Sequence, residues 1–202
     1  MLKYDIKLKY RIFTFFKKKF IINLVETMDE ILDIYNRDGE HLWTATKSAC
    51  HSENPGFYHK PVWIWIINDK HEILVQRRTA NKKIEPNKWD SACAGHVIAW
   101  EKTIDGAIRE VYEELGVETK EADYKFICEY IIDEIFTMGQ IFLLKLNLEV
   151  NEFKLQEEEV AEVKRLNHDE FKKLFYSKDF VWTDNDYKEF ILNMLKENLS
   201  KF

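Results

Sequence analysis

Short apolar runs with β-branched and aromatic residues recur through the chain and predict β-strands. The most hydrophobic of them, Val62–Ile67, has the composition of a buried strand. Polar turn residues follow it at 68–70, so the next run, Glu72–Arg77, is predicted to return beside it as a hairpin. The other predicted strands are Ile31–Tyr35, Trp43–Thr46, Tyr124–Ile132, Gln140–Leu148 and Val160–Leu166.

Apolar residues at helical spacing predict three helices. The clearest is Thr103–Leu115, with Thr103 as the predicted N-cap and Gly116 as a left-handed C-terminal cap. Two more helices are predicted, from Asn167 or His168 to Phe175 and over Asp184–Leu199. Together these elements predict an α/β domain of the α+β type, with a mixed β-sheet sandwiched between helices.

Charge is unevenly distributed along the 202 residues. Residues 1–27 hold seven basic and two acidic side chains, although the whole chain has a net charge of −6, so the rest is strongly acidic. An acidic surface repels the phosphates of a nucleic acid polymer, but it suits a site that collects divalent cations. Hydrophobic residues at 46% and charged residues at 33% indicate a globular protein.

The basic, aromatic extension of residues 1–27 has a status that the sequence leaves open. Its central lysines, Lys17–Lys19, interrupt the apolar stretch, whereas a signal peptide places its charges before an unbroken apolar core. Three interpretations fit: an amphipathic helix on an anionic membrane, a solvated or partner-bound helix, and an extension from an upstream start site. Residues 28–202 are predicted to form the single folded domain.

The cysteines and the apolar runs predict a cytoplasmic protein. Cys50, Cys93 and Cys128 are odd in number and lack CxxC spacing, which argues against a disulfide framework or a zinc site. No run of 18 or more apolar residues occurs, so no transmembrane segment is predicted.

Three glutamates of the predicted helix Thr103–Leu115 carry the candidate chemistry. Glu110, Glu113 and Glu114 stand at i, i+3 and i+4, so their carboxylates converge on one helix face. Crowded like charges repel each other, and a bound divalent cation reverses that penalty. Mg²⁺ takes hard oxygen ligands and combines a few carboxylates with substrate phosphate. The cluster therefore predicts a Mg²⁺ site, with Mn²⁺ as the alternative ion, although many acidic helix faces are merely solvated.

These glutamates lie within a longer pattern. Gly95 is followed after five residues by Glu101 and after seven more by Arg109-Glu110-Val111-Tyr112-Glu113-Glu114-Leu115-Gly116-Val117. The pattern resembles the Nudix box and matches it at every specified position. The resemblance implies the Nudix fold and a hydrolase that cleaves a diphosphate linkage in a small molecule.

The same resemblance assigns roles to individual positions. The metal site corresponds to Glu110, Glu113, Glu114 and the backbone at Gly95. Glu113 and Glu114 are also implied to be catalytic. The structural positions are Glu101, Arg109 and Gly116, of which the first two form an ion pair that aims the helix. The general base varies within this family, and the candidates here are Glu113, a member of Glu157–Glu159, and Glu162; the acidic run is more typical of a solvated loop.

Upstream residues resemble type I isopentenyl diphosphate isomerase and the bacterial Nudix hydrolases related to it, over roughly residues 28–185. In the isomerase, an arginine and a lysine contact the substrate diphosphate, and the matching positions are Arg78 and Lys82. The isomerase also uses histidines as metal ligands. His59 and His96 match two of them, whereas His51 lies near a third but out of register.

Three departures argue against isomerase activity. The catalytic cysteine of the isomerase directly precedes the glycine, but this sequence has Ala94 there, and Cys93 faces the opposite side of a strand. The paired acids of the isomerase metal site are not evident around 138–140. The Nudix box is degraded in the isomerase and intact here.

The leading expectation is thus a Mg²⁺-dependent hydrolase acting on a nucleoside diphosphate-type small molecule. An isomerase-like activity and a non-catalytic nucleotide binder remain the alternatives. Trp182, before the last predicted helix, is a candidate to close over the pocket. A homodimer is also expected from the resemblance.

Overall fold

A computed structural model describes residues 29–199, so the extension of residues 1–27 lies outside the described residues. Within this range the strands are β1 Ile31–Tyr35, β2 His41–Thr46, β3 Tyr58–His59, β4 Pro61–Ile67, β5 Ile73–Arg78, β6 Trp89–Asp90, β7 Cys93–His96, β8 Tyr124–Ile132, β9 Thr137–Lys145 and β10 Val160–Leu166. The α-helices are α1 Lys47–Cys50, α2 Thr103–Leu115, α3 His168–Phe175 and α4 Asn185–Leu199. Short 3-10 helices lie at Glu121–Asp123, Asp133–Ile135 and Val150–Glu152.

The strands form one mixed sheet in the order β10-β5-β4-β9-β3-β1-β2, with β6 beside β5, β7 beside β4 and β8 beside β9. The pairs β4–β9 and β3–β9 are parallel, and the other ladders are antiparallel. This architecture confirms the predicted α+β fold with a mixed sheet.

Helices cover both faces of the sheet, as predicted. Alternate residues of β4 point to opposite sides, so Ile64 joins the core beneath α2 whereas Trp65 joins the core beneath α3 and α4. Burying a large apolar side chain of this kind stabilises the fold by about 1.5–3 kcal/mol. No helix among residues 29–199 is long and apolar enough to cross a membrane.

Several predicted boundaries were wrong. The N-cap of α2 is Lys102, whose side chain makes no capping hydrogen bond, so Thr103 is the first helical residue and not the cap. The strand predicted from Gln140 begins at Thr137, because Gly139 lets the chain pass against the ring of Trp63. Helix α1 and strand β3 were not predicted, since both are too short to show a periodic pattern.

A fork in the sheet positions the candidate site. Strand β9 pairs with one edge of β4, and two strands share the other edge: β5 pairs at Ile66 and Ile67, and β7 pairs from Pro61 to Ile64. Strands β5 and β7 therefore separate from each other, and the gap between them opens toward α2.

Candidate metal and diphosphate site

Arg109 fixes the direction of α2. Its Nε and Nη2 atoms donate to the two carboxylate oxygens of Glu101, each at 3.0 Å, and Nη2 also donates to the carbonyl oxygen of His96 at 2.8 Å. A planar guanidinium suits such paired contacts. The helix is thereby tied to the segment that follows β7.

Glu110 lies against the backbone of Gly95. A Cβ atom at Gly95 would stand only 1.9 Å from the carboxyl carbon of Glu110, so no other residue fits there without displacing that carboxylate. Arg109 Nη1 donates to Glu110 Oε1 at 2.7 Å. Burial nevertheless raises the pKa of Glu110, and the neighbouring Arg109 opposes that rise.

Glu114 occupies the fork between β5 and β7. Its Oε2 atom accepts hydrogen bonds from Gln76 Nε2 of β5 at 3.1 Å and from the backbone N–H of Ala94 in β7 at 3.3 Å. The residue is only 5% exposed and has no ion-pair partner among residues 29–199. Burial therefore raises the pKa of Glu114 to about 8.

The third glutamate, Glu113, is exposed and accepts from Arg109 Nη1 at 3.0 Å. The three carboxylates thus occupy one side of α2: Glu114 is buried and has no ion pair among residues 29–199, whereas Glu110 and Glu113 share Arg109. Gln76 Oε1, also buried here, has no hydrogen-bond partner among the described residues. This set of hard oxygen donors fits a divalent cation such as Mg²⁺.

Both predicted phosphate contacts are engaged within the protein. Arg78 donates to the carbonyl oxygen of Ile84 at 3.0 Å and pairs with the half-buried Asp90 at 3.3 Å. Lys82 forms an ion pair with Glu159. For Arg78 and Lys82 to bind substrate as predicted, phosphate oxygens must replace at least some of these protein partners.

Three histidines come together beside this site. The candidate ligand atoms of His51, His59 and His96 all lie within 4.8 Å of one another, so the out-of-register His51 joins the two predicted positions. Burial lowers the pKa of His59 to about 3, and the pKa values of His51 and His96 are also lowered by burial. His59 Nδ1 has no hydrogen-bond partner among residues 29–199. Neutral imidazoles are the form that binds metal.

The expectation that Cys93 faces away from the catalytic side of its strand was wrong, because β7 turns this residue toward α2. Cys93 is fully buried in the core beneath α2, on the Glu110 and Glu114 side of β7. Trp182 is 54% exposed ahead of α4. Its closure over the pocket stays a prediction.

Comparison with known proteins identifies the family. The NUDIX domain model matches residues 57–185. The chain belongs to the Nudix hydrolase family. A Nudix hydrolase of Listeria innocua, described as uncharacterised, is 31% identical over 143 residues, which are 71% of this chain and 80% of that protein. Enzymes of this family generally use divalent metal ions.

Other relatives of this Nudix hydrolase share only part of their length with it. Nudix hydrolase 3 of Arabidopsis thaliana is 26% identical over 78% of this chain, but the chain spans only 22% of that protein. An isopentenyl-diphosphate Delta-isomerase of Streptomyces griseus is 31% identical over 87 residues, 43% of this chain and 44% of the isomerase. A crystal structure from Deinococcus radiodurans aligns with a TM-score of 0.66, 16% identity, and coverage of 83% of this chain and 98% of that one, which shows the shared fold.

Sequence reasoning missed two residues of this Nudix hydrolase site. Gln76 was not predicted, although a polar residue at the end of the apolar run 73–75 is a signal for a buried hydrogen bond. Glu30 was not predicted either. Its carboxylate lies 3.9 Å from His96 Nδ1 and pairs with Lys47 at 3.0 Å.

Proposed function

We propose that this Nudix hydrolase uses Mg²⁺ to cleave the diphosphate linkage of a small molecule of the nucleoside diphosphate type. The observation that carries the proposal is the cluster of Glu110, Glu113 and Glu114 on one side of α2, with Glu110 against Gly95 and Glu114 buried beside Ala94 of β7. A buried carboxylate without an ion-pair partner, such as Glu114, is costly, and a cation relieves that cost.

Each residue has a distinct part in this proposal. Glu110, Glu113 and Glu114 would hold the cation, with the backbone at Gly95 packed beside it. When bound, Mg²⁺ would offset the negative charge of the diphosphate and lower the pKa of a coordinated water. Arg78 and Lys82 would orient the phosphates from the end of β5.

A substrate panel with paired variants tests the proposal. Nucleoside diphosphates and triphosphates, nucleotide sugars, dinucleoside polyphosphates and prenyl diphosphates are incubated with Mg²⁺, and release of phosphate or pyrophosphate is measured. We expect Glu114→Gln to lower kcat by at least about 100-fold and to weaken Mn²⁺ binding measured by electron paramagnetic resonance. Glu121→Gln, in the 3-10 helix beyond α2, serves as the control. Equal activity of the two variants would refute the proposal.

The histidine cluster supports a second candidate function, an isomerase-like activity that uses a cation at His51, His59 and His96. Against it, Ala94 occupies the position before Gly95, and the Cys93 thiol is fully buried. Incubation with isopentenyl diphosphate separates the two candidates: hydrolysis releases phosphate, whereas isomerisation yields the allylic isomer without phosphate release. A non-catalytic nucleotide binder would neither release phosphate nor form the allylic isomer.

A further inference from the structure

The acidic turn formed by residues 157–159 is held between the ends of α2 and β5. Preceding it, the backbone N–H of Gln156 donates to the carbonyl oxygen of Glu114 at 3.1 Å. At its other end, the backbone N–H of Thr79 donates to the carbonyl oxygen of Glu159 at 3.2 Å, and the Thr79 hydroxyl donates to that of Glu158 at 2.9 Å. The turn is therefore fixed next to the glutamate cluster, unlike a freely solvated loop.

Only one glutamate of this turn is turned toward the site. The Glu159 side chain is 35% exposed and pairs with Lys82, whose side chain is 24% exposed. Glu157 and Glu158 are exposed, and within residues 29–199 their side chains make no hydrogen bond or ion pair. Glu162, another candidate base, pairs at 3.0 Å with Arg77 on an exposed surface.

Lys82 connects this pair to the rest of the site. Burial raises the pKa of Glu114 and lowers that of His96, and the charge of Lys82 is close enough to act on both: it opposes the rise at Glu114 and adds to the fall at His96. The Lys82 ammonium thus lies among the groups assigned to the metal and the diphosphate. A diphosphate, with more than one negative charge, competes for an ammonium more strongly than one carboxylate does.

We propose that the diphosphate of the substrate takes Lys82 from Glu159, and that the released Glu159 carboxylate accepts the proton of the attacking water. The inference rests on the proposed hydrolase function. In this step the water oxygen bonds to phosphorus and the bond from that phosphorus to the bridging oxygen breaks. The electron pair leaves with the bridging oxygen, and the water proton passes to Glu159 and then to solvent.

The ion pair between Lys82 and Glu159 makes substrate binding precede the release of the base. Before substrate arrives, Lys82 is paired with Glu159 and occupies its carboxylate. After substrate binds, Lys82 contacts the phosphate, and the Glu159 carboxylate is available to accept the proton of the attacking water. General bases placed in this way typically contribute about 100- to 10,000-fold to rate.

Steady-state kinetics of Glu159→Gln test the catalytic role, with Glu157→Gln as the matched control from the same turn. We expect Glu159→Gln to lose about 100-fold or more in kcat with no rise in KM, and Glu157→Gln to stay within about twofold of the parent. Added formate should partly restore kcat to Glu159→Ala, because it replaces the missing carboxylate. Mn²⁺ affinity should be unchanged in both glutamine variants.

Binding of methylenediphosphonate, an uncleavable diphosphate, tests the exchange of partners without any turnover. In the presence of Mg²⁺, Glu159→Gln should bind this probe about fivefold more tightly than the parent, because Lys82 no longer has to leave an ion pair. Lys82→Met should bind it more weakly. Glu157→Gln should match the parent.

Two results would overturn the inference: equal kcat for Glu159→Gln and Glu157→Gln, or a loss of Mn²⁺ affinity in Glu159→Gln, which would make Glu159 a metal ligand. Unchanged probe binding in Glu159→Gln would also overturn the exchange. A parent enzyme that cleaves no diphosphate would instead refute the proposed function, and the binding measurement would still decide whether Lys82 changes partner.

Discussion

At the scale of single residues, the site depends on close contacts between charged side chains and backbone. Glu110 can lie beside β7 only because Gly95 has no side chain, and Glu114 finds its hydrogen bonds only where β5 and β7 have parted. Both carboxylates are placed by what surrounds them, and burial raises the pKa of each. The surroundings of Glu110 and Glu114 thus favour either a bound cation or a proton on these carboxylates.

Replacing Gly95 by alanine should disable the metal site. The new methyl group would displace the Glu110 carboxylate, so we expect at least about tenfold weaker Mn²⁺ binding; the free energy of unfolding should fall by no more than about 1 kcal/mol, because that carboxylate is the end of a flexible side chain. Titration by electron paramagnetic resonance and urea unfolding measure the two effects. Gly39→Ala is the control, since its φ of +81° strains the backbone but its Cβ meets nothing within 4 Å. Equal Mn²⁺ affinity in both variants would contradict the prediction.

The pKa of Glu114 makes the stability of the metal-free protein depend on pH. Below pH 4.5, the ordinary pKa of a glutamate, the Glu114 carboxyl is protonated in both the folded and the unfolded chain. Between pH 4.5 and about 8 it is protonated only in the folded chain. Stability is therefore lost as pH rises through this window and is constant above it. Glu114→Gln removes the ionisation, so its stability relative to the parent should increase on the order of a few kcal/mol from pH 4.5 to 8. Urea unfolding in the presence of a chelator measures both stabilities at each pH. If the difference between Glu114→Gln and the parent is the same at pH 4.5 and at pH 8, the prediction is wrong.

At the scale of elements, α2 acts as a rigid carrier for the glutamates. Its C-terminal cap, Gly116, has a φ of 67° and its N–H donates to the carbonyl oxygen of Tyr112. Lys154 and Gln156 donate their backbone N–H groups to the last carbonyls of the helix. With Arg109 at the side, the helix is held at both its end and its flank, which fixes the carboxylates relative to the sheet.

Arg109→Lys should loosen this attachment. A single ammonium cannot span both oxygens of Glu101 and the His96 carbonyl, so we expect a loss of about 1–3 kcal/mol in the free energy of unfolding and weaker Mn²⁺ binding. Arg77→Lys is the matched control, because its pair with Glu162 is exposed and contributes little. Comparable stability of the two variants in urea unfolding would count against the role given to Arg109.

At the scale of the whole molecule, distant segments meet at the histidine cluster. His51 follows α1, His59 lies in β3 and His96 ends β7, so a cation there would join the segment after α1 to strands β3 and β7. Imidazole ligands favour ions such as Co²⁺ or Zn²⁺ over Mg²⁺. The oligomeric state and the single domain expected from sequence stay predictions.

Co²⁺ should bind to this cluster independently of the glutamates. We expect visible absorption bands on Co²⁺ addition and a rise in Tm, because binding to the folded state alone stabilises it. His51→Gln should abolish the bands, whereas Glu114→Gln and the exposed-turn control His71→Asn should keep them. Bands that disappear in Glu114→Gln would place the ion at the other site.

The family, the α+β class and the glutamate cluster could all be predicted from the order of residues along the chain. These follow from spacing along one chain: three residues at i, i+3 and i+4 share a helix face wherever the helix is placed. The apolar run in β4 likewise predicts a buried strand, and this prediction does not depend on which strands lie beside it.

The residues that contact or surround this cluster could not be predicted, because they depend on how the chain folds. Gln76 reaches Glu114 because two strands fork, His51 joins His59 and His96 despite its register, and Glu159 differs from Glu157 by its contact with Lys82. Each of these depends on the relative placement of segments far apart in sequence. Local periodicity carries no information about that placement, because it is set by the packing of the whole sheet.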